Sequence, residues 1–251
     1  MKKLISFAAV LSAVFGLGTA KATAINDIRF YTEQFPPLNF KQDGKLTGIM
    51  VDVLEIIFGK MDSRQTVDNI TLTEWNIALD RVMSGPNTSL FAIVKTPRRE
   101  AAGLKWAGAV LSVTVDAIAR KDSHIVISDD RELADFSIVV VKDDIGHQKA
   151  MEMGLPARNI TVKNTAEEAI QELHDGRAEF MFYTEVAAKW IMKNMGLDPD
   201  DYAKSWTLQR TPVYYAFSKD VSNDFVEKFQ EALDEVLISP QYQDIVDKYT
   251  R

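Results

Sequence analysis

Residues 90–100 read LFAIVKTPRRE, and this stretch joins a buried-looking strand to a pair of arginines. The apolar run at 90–94 is too short to predict a helix. Pro97 ends the run, because proline has no N–H and a fixed φ. Two interpretations of Arg98 and Arg99 are open at this point. They form a solvated turn, or one guanidinium stands at the end of a strand to bind an anion.

Strand-like runs alternate with helical patterns along the whole chain. Strands are expected at 28–31, 90–94, 113–119, 137–141, 180–182 and 214–217, and helices at about 50–58, 75–84, 166–175, 185–196, 225–237 and 240–249. This alternation predicts parallel α/β sheets with helices on both faces. Such sheets bind ligands at the carboxyl ends of their strands. Arg99 follows one of those ends, which favours the anion-binding interpretation.

Composition excludes several classes of function. The chain has no cysteine, which rules out disulfides, thiolate metal sites, a cysteine nucleophile and lipid attachment through an N-terminal cysteine. The three histidines, His124, His147 and His174, lie far apart, so we expect no metal and no cofactor. The net charge of −7, with no basic cluster beyond the Arg98-Arg99 pair, argues against nucleic-acid binding.

The N-terminal residues MKKLISFAAVLSAVFGLGTAKATA have the features of a secretory signal peptide. A basic start precedes an apolar stretch at 4–17, which is shorter than the roughly 20 residues that a membrane span needs. Small residues then offer cleavage after Ala22 or Ala24. Removing residues 1–22 takes away three lysines and makes the protein more negative. We expect an exported product that is free in the periplasm and is not a lipoprotein.

Five ordered segments carry a resemblance to a known family. They are YTEQFPPLNF at 31–40, DGKLTG at 43–48 with VDVL at 51–54, TPRR at 96–99, GRAE at 176–179 and YYAFS at 214–218. Together they resemble the periplasmic solute-binding proteins of polar amino-acid ABC importers, bacterial extracellular solute-binding protein family 3. The resemblance implies a type II periplasmic binding protein fold, with two α/β lobes joined by two hinge strands. Lobe 1 is expected at 25–114 and 212–251, and lobe 2 at 115–211.

The resemblance assigns ligand contacts in lobe 1. Arg99 matches the arginine that binds the ligand's carboxylate, and a planar guanidinium offers it two parallel donors. Phe35 stands where the family stacks an aromatic ring on the ligand, or else it belongs to the core of lobe 1. The backbone of Ala92 and Val94 lies where the family's strand touches the ligand.

Two further residues of lobe 1 have alternative roles. Thr96 either donates its hydroxyl to the ligand's carboxylate or makes a local bond to the backbone of the turn. Trp75 either borders the cleft or belongs to the core stripe of its helix.

In lobe 2 the resemblance implies a helix that begins beside the ligand. The free N–H groups of Ile145, Gly146 and His147 are expected to attract the ligand's carboxylate. Lys142 aligns with a position that reaches the ligand. The sequence departs from the family here, because two acids stand where relatives usually have Gly-Thr.

A second departure concerns the ligand's ammonium group. Thr184, between Tyr183 and Glu185, occupies the place of the aspartate that binds this group in the family. A buried ammonium needs a carboxylate partner. Either Glu185 or Glu33 replaces the aspartate, with Glu185 ranked first because it is adjacent, or the ligand has no ammonium. An amino acid and a plain carboxylic acid both remain open.

The function implied is capture of a small carboxylate-bearing ligand, an amino acid, and its delivery to an ABC permease in the inner membrane. The protein is expected to be a monomer without enzymatic activity. One alternative is a secreted cyclohexadienyl-type dehydratase that uses Glu33 or Glu185 as its acid or base. Another is a protein that presents its ligand to a membrane sensor.

Overall fold

A computed structural model of the protein describes residues 23–250, and the predicted signal peptide at 1–22 lies outside the described residues. The strands are β1 (Arg29–Thr32), β2 (Phe40–Gln42), β3 (Lys45–Thr47), β4 (Thr71–Leu72), β5 (Thr88–Val94), β6 (Lys105–Arg120), β7 (Ile138–Val141), β8 (Ile160–Lys163), β9 (Phe180–Tyr183) and β10 (Tyr202–Phe217). The α-helices are α1 (Ile49–Lys60), α2 (Trp75–Ser84), α3 (Pro97–Ala101), α4 (Ile145–Glu152), α5 (Ala166–His174), α6 (Glu185–Asn194), α7 (Asn223–Leu237) and α8 (Pro240–Thr250). Within this range, no helix combines the length and apolar character needed to cross a membrane.

Eight strands form one mixed sheet in the order β4-β1-β5-β10-β6-β9-β7-β8. At one end β1 runs parallel to β4 and β5, and at the other β7 runs parallel to β8 and β9. In the middle, β10 is antiparallel to both β5 and β6, and β6 is antiparallel to β9. The sheet therefore consists of two parallel portions joined by an antiparallel pair, where the sequence predicted parallel sheets.

The two central strands span both portions of the sheet. β6 and β10 are 16 residues each, whereas the sequence predicted strands only at 113–119 and 214–217. The predicted parts contain most of the buried residues, while the remaining parts are largely half-exposed and have no clear apolar alternation. We call the portion with β4, β1 and β5 lobe 1, and the portion with β9, β7 and β8 lobe 2. The predicted lobe boundaries at 114/115 and 211/212 fall inside these two strands.

Three strands outside the central pair, β5 on one side and β9 and β7 on the other, are buried on both faces. All seven residues of β5 and all four residues of β7 and of β9 are buried. Parallel strands covered by helices on both sides read as continuous apolar runs. This is why the sequence located these strands correctly. Helix α7 packs its buried side chains Phe225, Phe229 and Leu233 against lobe 1.

The two lobes touch along the cleft between them. Arg98 of lobe 1 donates from Nη1 to Asp143 Oδ1 of lobe 2 at 2.7 Å. The rings of Phe40 and Trp190 meet edge to face, with centroids 5.4 Å apart. The side chain of Arg98 is exposed, as the interpretation of a solvated turn implies for it, and it forms an ion pair across the cleft.

Helix α4 begins in close contact with β9, and this contact requires glycine. A Cβ added to Gly146 would stand 2.2 Å from the carbonyl oxygen of Phe182. We expect Gly146→Ala to lower the free energy of unfolding by about 1–3 kcal/mol, because the added carbon overpacks the interface. Denaturant titration measures the change. The matched control is Gly59→Ala in α1, where a Cβ meets no atom within 4 Å and a gain of up to about 1 kcal/mol is expected. Equal stabilities of the two variants would contradict this packing argument.

Candidate ligand-binding site

A one-turn helix positions Arg99 behind the end of β5. Thr96 is the N-cap of α3, and its Oγ1 accepts the N–H of Arg99 at 3.4 Å. Pro97 occupies the first turn, where its missing N–H costs nothing. The predicted turn is thus a short helix, and Thr96 makes the local bond that was one of its two expected roles. Arg99 is only 2% exposed.

The guanidinium of Arg99 is held by both lobes. Its Nη1 donates to the carbonyl of Val94 at 2.7 Å, and its Nη2 donates to the carbonyl of Asp143 at 3.1 Å. Its Cζ lies 4.8 Å from the ring centroid of Trp75, a cation–π contact. Its Nε has no partner among the described residues. Arg99 therefore ties the end of β5 to the loop before α4.

Two carboxylates stand near this cation. Burial lowers the pKa of Arg99 to about 10, against the attraction of Asp144 and Glu33, so the guanidinium stays charged at neutral pH. The pKa of Glu33 is raised well above its ordinary value, first by burial and then by repulsion from Asp144, while Arg99 opposes the rise. Burial and the mutual repulsion of Glu33 and Asp144 therefore disfavour the simultaneous ionisation of both carboxyls.

Asp144 occupies the start of α4. It is 9% exposed, and burial raises the pKa of its carboxyl. It makes no capping hydrogen bond, but the N–H groups of Ile145 and Gly146 and the charge of Arg99 act in the opposite direction and lower that pKa. The expected picture of free N–H groups awaiting a ligand's carboxylate therefore needs correction. The protein's own carboxylate already stands beside them.

The other two residues of this loop that were expected to contact the ligand, His147 and Lys142, make hydrogen bonds within the protein instead. The Nδ1 of His147 accepts the N–H of Asp143 at 3.1 Å, so this ring nitrogen is already used. Lys142 is exposed, and its N–H donates to the carbonyl of Lys163 at 2.8 Å. Neither residue lines the cavity described next.

A cavity of about 250 Å³ lies between the lobes. It is lined by Glu33, Gln34 and residues 72–75 of lobe 1, and by Val141, residues 164–167 and Ile191 of lobe 2. Trp75 contributes its aromatic wall. Phe35, expected to stack on the ligand, instead packs edge to face on Tyr183 across the cleft, with centroids 5.9 Å apart. The structure thus places Trp75 rather than Phe35 at the cavity.

The two candidates for an ammonium partner lie in different surroundings. Glu185 pairs with Lys189 at 3.0 Å and accepts the N–H of Lys204 at 3.3 Å. Thr184 donates its hydroxyl to the carbonyl of Thr114 at 2.7 Å. Glu33 lines the cavity and has no ion pair with a described residue. Of the two candidates, Glu33 lines the cavity and Glu185 does not.

Ala92 interrupts β5 beside the cleft. The register of β10 pairs Tyr214 with Ile93 and Tyr215 with Phe91, so Ala92 has no partner there. Its φ of 61° is left-handed, which is uncommon for alanine. Bulges of this kind are frequent next to functional sites.

Several residues at the site escaped the sequence analysis. Glu74, Asn164, Thr165 and Glu167 line the cavity, and none belongs to a segment that carried the family resemblance. The sequence predicts a helix from about residue 166, and the hydroxyl of Thr165, directly before it, accepts the N–H of Glu168. A helix start directly after a strand lies at the ligand-binding edge of such a sheet. The position of Thr165, between β8 and α5, is therefore the feature of the sequence that indicates this side of the cavity.

Asp116 of β6 was also missed. Its buried carboxylate accepts hydrogen bonds from the hydroxyls of Thr114 at 2.7 Å and Thr207 at 2.8 Å, and thereby joins β6 to β10.

Across residues 23–250, no group of three or more potential metal ligands is arranged to hold an ion.

Comparison with known families gives a clear match. Residues 28–251 match bacterial extracellular solute-binding proteins, family 3. The chain belongs to this family. The predicted family is thereby confirmed. A search of curated proteins finds no match.

Solved structures share the fold at low sequence identity. A histidine kinase sensor domain with similarity to periplasmic binding proteins has a TM-score of 0.77 at 19% identity, covering 88% of this chain and 95% of its own. An ABC uptake transporter substrate-binding protein from Streptococcus pneumoniae with bound histidine has a TM-score of 0.76 at 16% identity. The match covers 90% of this chain and 93% of that protein. The ancestral amino acid-binding protein AncCDT-1, a precursor of cyclohexadienyl dehydratase, has a TM-score of 0.71 at 19% identity. The match covers 89% of this chain and 95% of that protein. The predicted two-lobed α/β fold is confirmed.

Repulsion at the cleft predicts a gain in stability when Glu33 is neutralised. The raised pKa of Glu33 means that the folded state binds more protons than the unfolded state above pH 4.5, so stability falls as the pH rises toward the folded-state pKa. We expect Glu33→Gln to have a higher Tm than the wild type at pH 8, by roughly 2–4 °C for each kcal/mol relieved. The difference should shrink at pH 4.

The control is Glu185→Gln, which removes an ion pair with Lys189 and should not gain stability. Thermal unfolding without ligand, followed by circular dichroism, measures both variants. A Glu33→Gln protein no more stable than the wild type at pH 8 would show that Glu33 is not strained by its neighbours.

Proposed function

We propose that the protein captures a small solute of the amino-acid type between its lobes and delivers it to an ABC importer. The observation that carries this proposal is the contact of Arg99 with both lobes beside a cavity walled by Trp75. A buried cation that bridges two lobes couples closure of the cleft to the contents of the cavity. No nucleophile with an adjacent base was found in the sequence, which supports binding without chemistry.

We also propose the setting in which this function operates. The basic start, apolar stretch and small-residue cleavage site support export to the periplasm with residues 1–22 removed. Membership in an extracellular solute-binding family supports the same location. In this setting the closed protein, acting as a monomer, docks on a permease in the inner membrane.

A dehydratase is the second candidate. Glu33 lines the cavity, and a carboxyl with a raised pKa has the property that general acid catalysis requires. The AncCDT-1 structure has the same fold and is described as a dehydratase precursor. Glu33 is therefore the residue that a catalytic test should address.

One experiment separates these candidates. The protein is purified under native conditions from a periplasmic extract, and the small molecules that it releases on denaturation are identified by mass spectrometry. A binding protein releases its solute and leaves an added sample of it unchanged. Conversion of an added cyclohexadienyl carboxylic acid, lost in Glu33→Gln, would favour the enzyme. Release of no solute, together with no thermal shift on any amine or amino acid, would contradict the proposed function.

Substitution of Arg99 tests the residue on which closure depends. We expect Arg99→Lys to weaken binding by about 2–5 kcal/mol, because lysine cannot donate in a planar fork to the carbonyls of Val94 and Asp143 together. Calorimetry with the released solute measures the loss. The matched control is Arg98→Lys, since an exposed ion pair that retains its charge changes the energy by about 0–1 kcal/mol. Equal affinities of the two variants would refute the role given to Arg99.

A further inference from the structure

The cavity between the lobes is lined by acids without matching bases. Glu33, Glu74 and Glu167 contribute carboxylates to it, and no lysine or arginine lines it. None of the three carboxylates forms an ion pair with another residue in the described range. Two lysines, Lys41 and Lys193, line an adjoining open groove that shares Gln34, Glu167 and Ile191 with the cavity. A solute in the cavity therefore meets negative charge on both lobes.

Two buried polar groups beside these acids lack partners. Tyr183 is 3% exposed, and its hydroxyl has no hydrogen bond to any described residue. The pKa of Tyr183 is raised by burial and then by the charges of Glu33, Asp144 and Glu167. Trp75, 4% exposed and on the cavity wall, has an unpartnered Nε1. Buried polar groups are nearly always paired in native proteins, so these two mark a place that a bound solute completes.

Part of the group of donors that would recognise a ligand's carboxylate is already engaged, although the Nε of Arg99 has no partner among the described residues. Both terminal nitrogens of Arg99 donate to backbone carbonyls, and the start of α4 faces the carboxylate of Asp144. A second carboxylate brought to this place would be repelled by Asp144 and by Glu33. Like charges brought together at low dielectric disfavour one another strongly.

We propose that the solute is a compact organic cation without a carboxylate, an amine or a guanidine, with Glu33 as the partner of its charge and Trp75 as the wall for its apolar part. Asp144 takes the place that a carboxylate of the ligand would fill. The proposal rests on the proposed capture of a small solute between the lobes, and it replaces an amino acid as that solute by an amine or guanidine. The cavity is smaller than the roughly 300–1,000 Å³ typical of drug-sized ligands, which limits the solute to a compact one.

Matched pairs of probes test the proposal. Agmatine is compared with arginine, cadaverine with lysine and histamine with histidine, since each pair differs by one carboxylate. Calorimetry on the wild-type protein is expected to give at least one amine that binds tenfold or more tightly than its parent amino acid. Amino acids that bind as tightly as their amines, or more tightly, would overturn the inference and leave the proposed function standing. Binding of neither class, with no solute released by the native protein, would overturn both.

Two variants assign the roles within the site. Asp144→Asn is expected to lower the ratio of amine affinity to amino-acid affinity at least tenfold, because it removes the charge that repels a carboxylate. Glu33→Gln is expected to abolish amine binding, and Glu185→Gln, whose charge is paired with Lys189, to retain it. An unchanged preference in a folded Asp144→Asn protein would show that Asp144 does not exclude the carboxylate.

A pH series on the wild type gives a check that needs no variant. Amine affinity should fall as the pH is lowered through the raised pKa of Glu33, because protonation removes the partner of the cation. Amine affinity that does not fall as the pH is lowered would contradict the role of Glu33.

Discussion

The burial of one guanidinium organises the cleft of this protein. Arg99 is taken almost fully out of water, which costs several kcal/mol unless its donors find acceptors. Two acceptors are backbone carbonyls, one at the end of β5 and one in the loop before α4. Because these carbonyls belong to different lobes, the cation is satisfied only when the lobes meet. In this arrangement Arg99 therefore links the two lobes through its two terminal nitrogens.

The buried charge of Arg99 needs a nearby carboxylate, and the cleft supplies two. A single carboxylate would balance the buried charge, but Glu33 and Asp144 both face it, and their burial raises the pKa of each. Such an excess destabilises the empty cleft and is relieved by a bound cation. Natural proteins commonly retain strain of this kind at binding sites. The contact of Phe35 with Tyr183 and the Arg98–Asp143 pair hold the lobes together at its rim.

The sequence predicted the fold better than it predicted the site. Strands such as β5 and β9 are buried on both faces, so their apolar runs identified them without reference to the rest of the chain. The length of β10 was not predicted, because much of it is half-exposed and has no strict alternation. Arg99 was found because a proline and a short strand framed it. The choice between Glu33 and Glu185 depended on which side chain turns toward the cavity, and adjacency in sequence carries no information about that.

The most direct test is a crystal structure of the protein purified with its native solute. The account predicts a nitrogen of the solute within hydrogen-bond distance of a Glu33 oxygen, an apolar part against Trp75, and Asp144 still at the start of α4. It further predicts that Arg99 keeps its bonds to the carbonyls of Val94 and Asp143. A solute carboxylate bound to Arg99, with Asp144 displaced from the start of α4, would contradict the account.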